Sequence, residues 1–399
     1  MIAVYYLFAA VLVFLSARSF IGGRRYLGFF KSELAKPASG FTPFATVIAP
    51  CRGADQGLDE NLNSLLSQHY PHYEVVFVVD NRQDSSVPII EQARAEKSVP
   101  TELAVAKISS DSGQKVENLR EGVLHANERS EVFAFVDSDV KLSPNWLRDL
   151  VAPLKDPGIG AATGYRWFIS KTPTFATELR SAWNASIASA LGPNTGSNFC
   201  WGGSTAIRRE VFERVDIRER WQGTLSDDFA VTRVMKETGL PIVFVPGAMT
   251  VTLEDCSFAD LLEFTTRQMK ITRVYAAPLW LMSFIGSGVF IAVLLASLAI
   301  VIFSRANNLR VWVALLTMAL VSFFSIAKAW LRLSAVKLAL PDYKADLNRQ
   351  GWTQNTFWAL TPAVFFYNCI AALFSRRLTW RGTTYELKSP VETVIITNK

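Results

Sequence analysis

Four long apolar stretches constrain this chain more than any other feature of its sequence. Met1–Ala17, Ala276–Ser304 and Gly351–Ser375 carry no charged residue, and Val311–Ala327 is followed by a single Lys328. Each approaches or exceeds the roughly 20 apolar residues that a helix needs to cross a bilayer. These stretches account for much of the hydrophobic half of the 399 residues. The sequence therefore predicts an integral membrane protein in contact with a lipid bilayer.

The region between the first two apolar stretches, residues 40–270, has ordinary charge content and is long enough for one sizeable domain. The net charge of the chain is a mild +6. Because no basic run is interleaved with aromatic residues, nucleic acid is not expected as a partner, and an anionic membrane surface suits the charge better. The four cysteines lack metal-site spacing, and we interpret them as reduced and structural, which suits a cytosolic domain.

Basic residues follow the first apolar stretch at positions Arg18, Arg24, Arg25 and Lys31. The positive-inside rule then predicts a retained N-terminal anchor, with the domain that follows it in the cytoplasm. A cleaved signal peptide is the alternative, but the chain lacks the basic segment that precedes the apolar core of such a peptide.

Short apolar runs alternate with helical patterns through the first half of the polar region, which is typical of a parallel α/β sheet. No Gly-x-Gly-x-x-Gly or Walker-type loop follows any of these runs, so neither a dinucleotide nor a P-loop triphosphate is indicated. The predicted strands are 45–49, 74–79, 103–108, 132–136, 160–165 and 242–245. The predicted helices are 58–68, 114–127, 175–191 and 227–238.

The segment Val132–Val136 runs directly into Asp137 and Asp139. It has no polar face, and Ser143–Pro144 after it resembles a helix start, so we interpret it as a central parallel strand. Ligands of open α/β sheets bind at this end of the strands, where two carboxylates can hold a divalent cation and, through it, a diphosphate. The alternative is a pair of acidic loop residues near a helix start.

A second acidic pair, Asp227 and Asp228, opens a predicted helix with Ser226 as its N-cap. A stable helix favours carboxylates in its first turn for electrostatic reasons alone, so a purely structural role stays open. Arg267, Lys270 and Arg273 come just before the second apolar stretch. Such residues usually orient a membrane helix, but here they also suit a phosphate.

Taken together, these residues are similar to those of membrane-bound inverting glycosyltransferases of family 2, and most like the ceramide-glucosyltransferase type. The resemblance spans residues 40–275 and includes the N-terminal anchor and the C-terminal membrane segments. Its motifs occur in the family's order. The matched positions are Pro50, Arg52, Gly53 and Asp55 after the first strand, then Asp80, Lys115 and Asn118, Asp137 and Asp139, and Asp228.

The resemblance implies an α/β fold, namely a GT-A-type nucleotide-sugar-binding domain with a mostly parallel sheet, plus transmembrane helices. It implies a UDP-sugar donor of glucose or a related hexose, a membrane lipid such as ceramide as acceptor, and inversion at the anomeric carbon. The implied donor-binding residues are Pro50, Arg52, Asp80, Lys115, Asp137, Asp139, Arg267 and Lys270. Asp137 and Asp139 would hold Mg²⁺ or Mn²⁺, and Asp228 would be the catalytic base.

One motif departs from the family. Where the family has Gln/Arg-x-x-Arg-Trp before the membrane, this chain has Arg267-Gln-Met-Lys270-Ile271. A lysine supplies a point charge to a diphosphate but lacks the guanidinium fork, and the tryptophan is missing. This departure affects how the leaving group or the acceptor is bound more than it affects the fold.

The predicted domains are an anchor (1–21), a linker (22–43), a GT-A domain (44–272), membrane helices (273–375) and a basic tail (376–399).

The alternative functions are a processive polysaccharide synthase, which usually keeps the full Gln-x-x-Arg-Trp, and an inactive nucleotide-binding membrane scaffold. A transporter is disfavoured because the apolar stretches lack charged residues near their centres. We also expect the stretch 351–375, which Gln354, Asn355, Pro362 and Asn368 interrupt, not to cross the membrane fully, since basic residues follow it.

Overall fold

The computed structural model describes residues 2–305 and 308–397, so the first residue of the predicted anchor and the last two of the predicted tail lie outside it. The chain divides into two compact units. The helical unit consists of Met1–Lys31, Pro173–Ser189 and Cys256–Ser375. The sheet unit consists of Ser32–Thr172, Ala190–Asp255 and Arg376–Lys399.

The strands belong to the sheet unit. In chain order they are β1 (Ala45–Pro50), β2 (Tyr73–Val79), β3 (Thr101–Val105), β4 (Val132–Val136), β5 (Ala161–Thr163), β6 (Arg166–Ile169), β7 (Ser204–Arg208), β8 (Ile242–Phe244), β9 (Thr250–Leu253), β10 (Arg377–Trp380), β11 (Thr383–Ser389) and β12 (Glu392–Thr397). Within the described residues, β3-β2-β1-β4-β7-β5-β8 form one sheet, β6 pairs with β9, and β10-β11-β12 form a third sheet.

The helices complete both units. They are α1 (Ile2–Leu34), α2 (Leu58–Leu65), α3 (Val87–Ala95), α4 (Gln114–Gly122), α5 (Trp146–Val151), α6 (Phe175–Ala188), α7 (Arg209–Arg214), α8 (Ile217–Arg220), α9 (Asp227–Glu237), α10 (Phe258–Tyr275), α11 (Ala277–Phe303), α12 (Leu309–Ala339), α13 (Lys344–Arg349), α14 (Gly351–Thr356) and α15 (Thr361–Phe374).

The half of the large sheet made by β3, β2, β1 and β4 is parallel, with β1 paired to both β2 and β4. Every residue of β1 and β4 is buried, as the mostly apolar sequence of β1 and the uninterrupted apolar sequence of β4 predict for strands covered on both faces. The strand β7 runs antiparallel to β4 and to β5, while β5 pairs with β8 in parallel. The predicted α/β fold with a mostly parallel sheet is confirmed.

The helical unit holds the candidate membrane segments. In the described part of the chain, α1, α11 and α12 are each long and apolar enough to cross a bilayer. A fourth segment consists of Gly351–Ala359 and Thr361–Phe374, which meet at an angle of 56° as a broken span or a re-entrant loop. This break lies in the stretch that the sequence predicts not to cross fully.

Some local predictions differ from the structure. The helix expected at Ser143–Pro144 begins at Trp146, because the preceding residues form a turn in which Trp146 N donates to Ser143 O over 3.1 Å. The predicted linker is helical up to Leu34, with Tyr26 and Phe30 buried. The predicted basic tail folds into β10–β12, and Leu387 of this sheet is fully buried.

The compact units also divide the chain differently from the predicted domain ranges. Pro173–Ser189 and the start of Cys256–Ser375, predicted within the GT-A domain, belong to the helical unit, and Arg376–Lys399 belongs to the sheet unit. The reason is that α6 and α10 contribute apolar side chains to a core of the helical unit, among them Trp183 and Leu261.

Candidate active site

The candidate site lies where three parallel strands end side by side. Pro50 closes β1, Asp80 follows β2, and Asp137 follows β4. Because β1 pairs in parallel with both neighbours, their carboxyl ends share one edge of the sheet. The antiparallel strand β7 reaches the same edge with its N-terminal end, since Ser204 pairs with Val136.

Lys115, in the first turn of α4, connects the two predicted acidic pairs. Its ammonium group lies 2.6 Å from Asp137 Oδ1 and 3.2 Å from Asp227 Oδ1. Burial by itself lowers the pKa of Lys115, but the carboxylates of Asp137, Asp227 and Asp228 outweigh burial and raise that pKa above its ordinary value. Lys115 is therefore a permanent cation that holds the strand end and the start of α9 together.

Asp139 is paired with a cation that the sequence did not point to. Arg166, on β6, places its Nη1 3.3 Å from Asp139 Oδ2. The Arg166 guanidinium lies over the rings of Phe168 and Trp201, at 4.8 and 5.4 Å from their centroids. Burial raises the pKa of Asp139, Arg166 opposes the rise, and the neighbouring Asp137 adds to it.

Two consecutive glycines bring the chain past this cluster. A Cβ on Gly202 would lie 2.2 Å from Asp227 Oδ2 and 2.9 Å from Lys115 Nζ. A Cβ on Gly203 would lie 2.8 Å from Asp137 Oδ2. The glycine turn before β7 is noticeable in the sequence. The antiparallel pairing of β7 with β4 brings this turn against the cluster, where a side chain at Gly202 or Gly203 would collide with Asp227 or Asp137.

The adjacent acids at the start of α9 differ in their surroundings. Asp227 is buried and ion-paired with Lys115, and burial raises its pKa while Lys115 opposes the rise. Asp228 is half-buried, and its Oδ1 accepts hydrogen bonds from Ser226 Oγ and from Phe229 N, the latter at 2.7 Å. Ser226 is the N-cap and both acids lie in the first turn, as the sequence predicts. Of the two carboxylates, that of Asp228 is the more accessible.

The loop after β1 carries Arg52, whose Nε lies 3.5 Å from Asp80 Oδ2. These two side chains, at the ends of neighbouring strands, form the part of the site next to β2. Asn118 is buried: it accepts a hydrogen bond from Gln114 Nε2 (2.9 Å) and donates to Val78 O (3.5 Å). Asn118 therefore joins α4 to β2.

Arg267 and Lys270 lie on α10, which belongs to the helical unit. Arg267 forms an ion pair with Glu263 over 3.8 Å and lies 5.6 Å from the centroid of Phe264. Burial lowers the pKa of Lys270. Their contact with a diphosphate stays a prediction.

The strand-end carboxylates fit a divalent cation that is only partly held by protein. Asp139 Oδ1 is buried and accepts no hydrogen bond from any described residue, so it is available as a ligand. Among residues 2–305 and 308–397, no group of three or more His, Cys, Asp or Glu side chains could enclose a metal. Asp137 and Asp139 would thus supply two oxygen ligands and leave further positions for a bound molecule and water.

The sequence profile of glycosyl transferase family 21 matches residues 4–392. The chain belongs to glycosyl transferase family 21. The sequence predicts a family 2 enzyme of the ceramide-glucosyltransferase type, and the match refines that prediction to family 21. Family membership, together with the observed sheet, agrees with the predicted GT-A-type domain and the predicted enzyme class.

Two curated relatives carry transferase names. The chain is 26% identical over 234 residues to an N-acetylglucosaminyltransferase of Rhizobium leguminosarum bv. viciae, covering 53% of this chain and 51% of the relative. It is 32% identical over 122 residues to a ceramide glucosyltransferase of Candida albicans, covering 27% of this chain and 22% of the relative. The chain thus spans about half of the first relative and less of the second.

Two solved structures of transferases match the chain with TM-scores below 0.5. One is the mannosyltransferase PcManGT from Pyrobaculum calidifontis in complex with GDP-Man and Mn²⁺, with a TM-score of 0.47, 19% identity and coverage of 92% of this chain and 99% of that one. The other is GalNAc-T7 with UDP, GalNAc and Mn²⁺, with a TM-score of 0.41, 14% identity and coverage of 54% and 44%.

Proposed function

We propose that this protein is a membrane-bound inverting glycosyltransferase that moves a sugar from a UDP-sugar to the hydroxyl of a membrane lipid. One observation carries the proposal: Lys115 joins the strand-end pair Asp137 and Asp139 to the helix-start pair Asp227 and Asp228 in a single cluster. Sugar transfer needs a group that takes a proton and groups that hold a departing diphosphate. In this cluster, the strand-end pair Asp137 and Asp139 suits the diphosphate, and the more accessible acid of the helix-start pair, Asp228, suits the proton.

The donor is assigned to the edge formed by β2, β1 and β4. Arg52 and Asp80 suit the nucleoside part, and Pro50 closes the strand beside them. When Mg²⁺ or Mn²⁺ is bound at Asp137 and Asp139, it supplies Lewis-acid stabilisation of the diphosphate. Lys115 and Arg166 place positive charge next to these carboxylates, so the acidic cluster does not repel the anionic donor.

Asp228 is assigned as the general base. Its Oδ1 is held by Ser226 Oγ and Phe229 N, which fixes the carboxylate and leaves Oδ2 to accept a proton from the acceptor hydroxyl. Asp227 is occupied by Lys115 and is too buried to meet an acceptor. Attack opposite the leaving diphosphate inverts the anomeric centre, so an α-linked donor yields a β-glycoside.

The acceptor is assigned to the lipid phase. Three described helices are apolar enough to cross a bilayer, and α11 begins shortly after the sheet unit's Asp255. The ceramide glucosyltransferase among the relatives favours a sphingolipid-type acceptor. The basic residues of α1 favour a cytoplasmic position for the sheet unit, where nucleotide sugars are made available to it.

The deciding experiment is product analysis. Purified protein in lipid nanodiscs is incubated with a membrane lipid extract and, separately, with UDP-glucose, UDP-galactose, UDP-N-acetylglucosamine or GDP-mannose, each with Mg²⁺ or Mn²⁺. Mass spectrometry of the lipids is expected to show one hexose added with one UDP-sugar, and excess EDTA is expected to abolish the product. Asp139→Ala should also abolish it. A soluble polymer as product would favour a polysaccharide synthase, and no transfer from any donor would favour a scaffold.

A further inference from the structure

The C-terminal sheet β10–β12 has an unusual residue in its first turn. Trp380 pairs with Thr383, so Arg381 and Gly382 form a two-residue hairpin loop, with φ values of 51° and 81°. Such loops need positive φ at both positions, and Asn or Gly normally supplies it at the first. An arginine there costs conformational energy, which calls for a compensating contact of its side chain.

The compensating contact lies on the loop after β1. Arg381 forms a two-pronged ion pair with Asp55, with Nη1 2.6 Å from Oδ1 and Nη2 2.5 Å from Oδ2. Its Nη1 also donates to the carbonyl oxygen of Arg52 over 3.1 Å. Such a fork fixes orientation as well as distance. The side chain of Arg381 thus binds both the backbone at Arg52 and the side chain of Asp55, three residues further along the loop.

The opposite side of the same loop is fixed by residues that follow β2. Gly53 N donates to Asp84 Oδ1 over 2.8 Å, and Ala54 N donates to Ser85 Oγ over 3.0 Å. The loop is therefore clamped between the residues after β2 and the hairpin of the C-terminal sheet. Arg52 is carried by this clamped loop.

The C-terminal sheet contacts two other parts of the candidate site. Gln114 N, at the start of the helix that bears Lys115, donates to the buried Tyr385 Oη over 3.3 Å. Gly223, in the turn before α9, lies so close to the sheet that a Cβ there would be 2.2 Å from Val391 O. The sheet thus touches the loop of Arg52, the start of α4 and the turn before α9.

We propose that the C-terminal sheet is a working part of the donor site and that Arg381 is a positioning residue for Arg52. This inference rests on the proposed function, because it takes Arg52 to bind the nucleotide. Arg381 sets the loop in its binding-competent form before the donor arrives. The segment predicted as a basic tail is therefore a structural clamp.

The test uses variants that separate the clamp from the fold. Arg381→Asn puts a favoured residue into the turn and removes the guanidinium, so the thermal unfolding temperature should stay the same or rise. Affinity for UDP in the presence of Mn²⁺, measured by calorimetry on the full-length protein, should fall about tenfold or more. Arg381→Lys keeps the charge without the fork and should fall in between. Arg377→Ala is the control, because it removes an exposed ion pair with Glu386 in the same sheet.

Hydrogen exchange supplies a readout that needs no ligand. In Arg381→Asn, the backbone amides of Gly53 and Ala54 should exchange faster than in the wild type, while the amides of β2 should exchange at the wild-type rate. In the control Arg377→Ala, the amides of Gly53 and Ala54 should also exchange at the wild-type rate. Unchanged exchange overturns the clamp, and faster exchange with unchanged UDP affinity overturns its role in the donor site. If the wild type binds neither UDP nor GDP, the proposed donor site fails, and exchange alone then decides whether Arg381 orders the loop.

Discussion

Lys115 has a central position among the charged residues of the sheet unit. Its ammonium group contacts Asp137 and Asp227, and it is mostly buried. A buried charge whose partner is removed is costly, so the three residues depend on one another. At the scale of single residues, the neighbours Asp227 and Asp228 therefore have different roles, and their substitutions should have different effects.

Asp228→Asn should remove catalysis and leave stability nearly unchanged. Asparagine keeps the shape and can still accept hydrogen bonds from Ser226 and Phe229, but it cannot take a proton. The initial transfer rate should fall by roughly 10²–10⁴-fold. Asp59→Asn is the matched control, since Asp59 is an exposed acid in the first turn of α2. If Asp228→Asn keeps more than about a tenth of the wild-type rate, the base has to be reassigned.

Asp227→Asn should act mainly on stability. It leaves Lys115 with one carboxylate partner fewer in a buried place, which should cost about 1–3 kcal/mol of unfolding free energy. Chemical denaturation of the two Asn variants side by side measures the difference. Equal loss of stability in both variants would contradict a stabilising role for the ion pair between Lys115 and Asp227.

Gly202→Ala should disrupt the cluster although it adds only a methyl group. The added carbon would lie 2.2 Å from Asp227 Oδ2, and that carboxylate cannot move without leaving Lys115. We expect loss of transfer and of UDP binding, with a lower unfolding temperature. Gly192→Ala is the control, because a Cβ at Gly192 meets no atom within 4 Å. Wild-type activity in Gly202→Ala would mean that the turn has room that the structure does not show.

At the scale of elements, the sheet β10–β12 contributes buried apolar side chains to the sheet unit. Leu378, Tyr385 and Leu387 are buried in it, and β11 is paired on both sides. A chain ending after Ser375 should therefore expose apolar surface and lose activity, and size-exclusion chromatography should show aggregation. Ile396→Thr changes an exposed position of β12 and should behave like the wild type. A soluble, active truncated protein would show that the sheet is dispensable.

At the scale of the whole molecule, the sheet unit limits the membrane topology. Ala190–Asp255, before α10, and Arg376–Lys399, after α15, both belong to it. We therefore expect both segments to lie on the same side of the membrane. If α11 and α12 each cross once, the bent segment Gly351–Phe374 must enter and leave on that side. This agrees with the interrupted sequence of that segment and with the basic residues after it.

Cysteine labelling tests this topology. In a Cys256→Ser background, Lys155→Cys and Lys388→Cys should react with a membrane-impermeant maleimide from the same side, the cytoplasmic one. Arg305→Cys, between α11 and α12, should react only from the other side. Labelling of Lys388→Cys and Lys155→Cys from opposite sides would refute the re-entrant segment.

The amino-acid sequence is enough to predict the elements whose residue patterns are local. Mostly apolar runs predict β1, β2 and β4 because both faces of a central strand are buried, and runs without charge predict the membrane helices. Serine before two acids predicts the start of α9. The carboxylates at the strand ends follow from the same patterns, because parallel strands bring their ends to one edge.

Which distant residues meet becomes visible in the folded chain alone. Arg166 and Arg381 carry no local signal, and the glycine turn at Gly202 does not show what it approaches. Their partners Asp139, Asp55 and Asp227 are distant in the chain. The pairing of β7 with β4 places the glycine turn against Lys115, and the return of the chain after α15 places Arg381 at Asp55. Patterns of neighbouring residues reflect burial within one element, whereas contacts between elements depend on how the strands pair and where the chain returns.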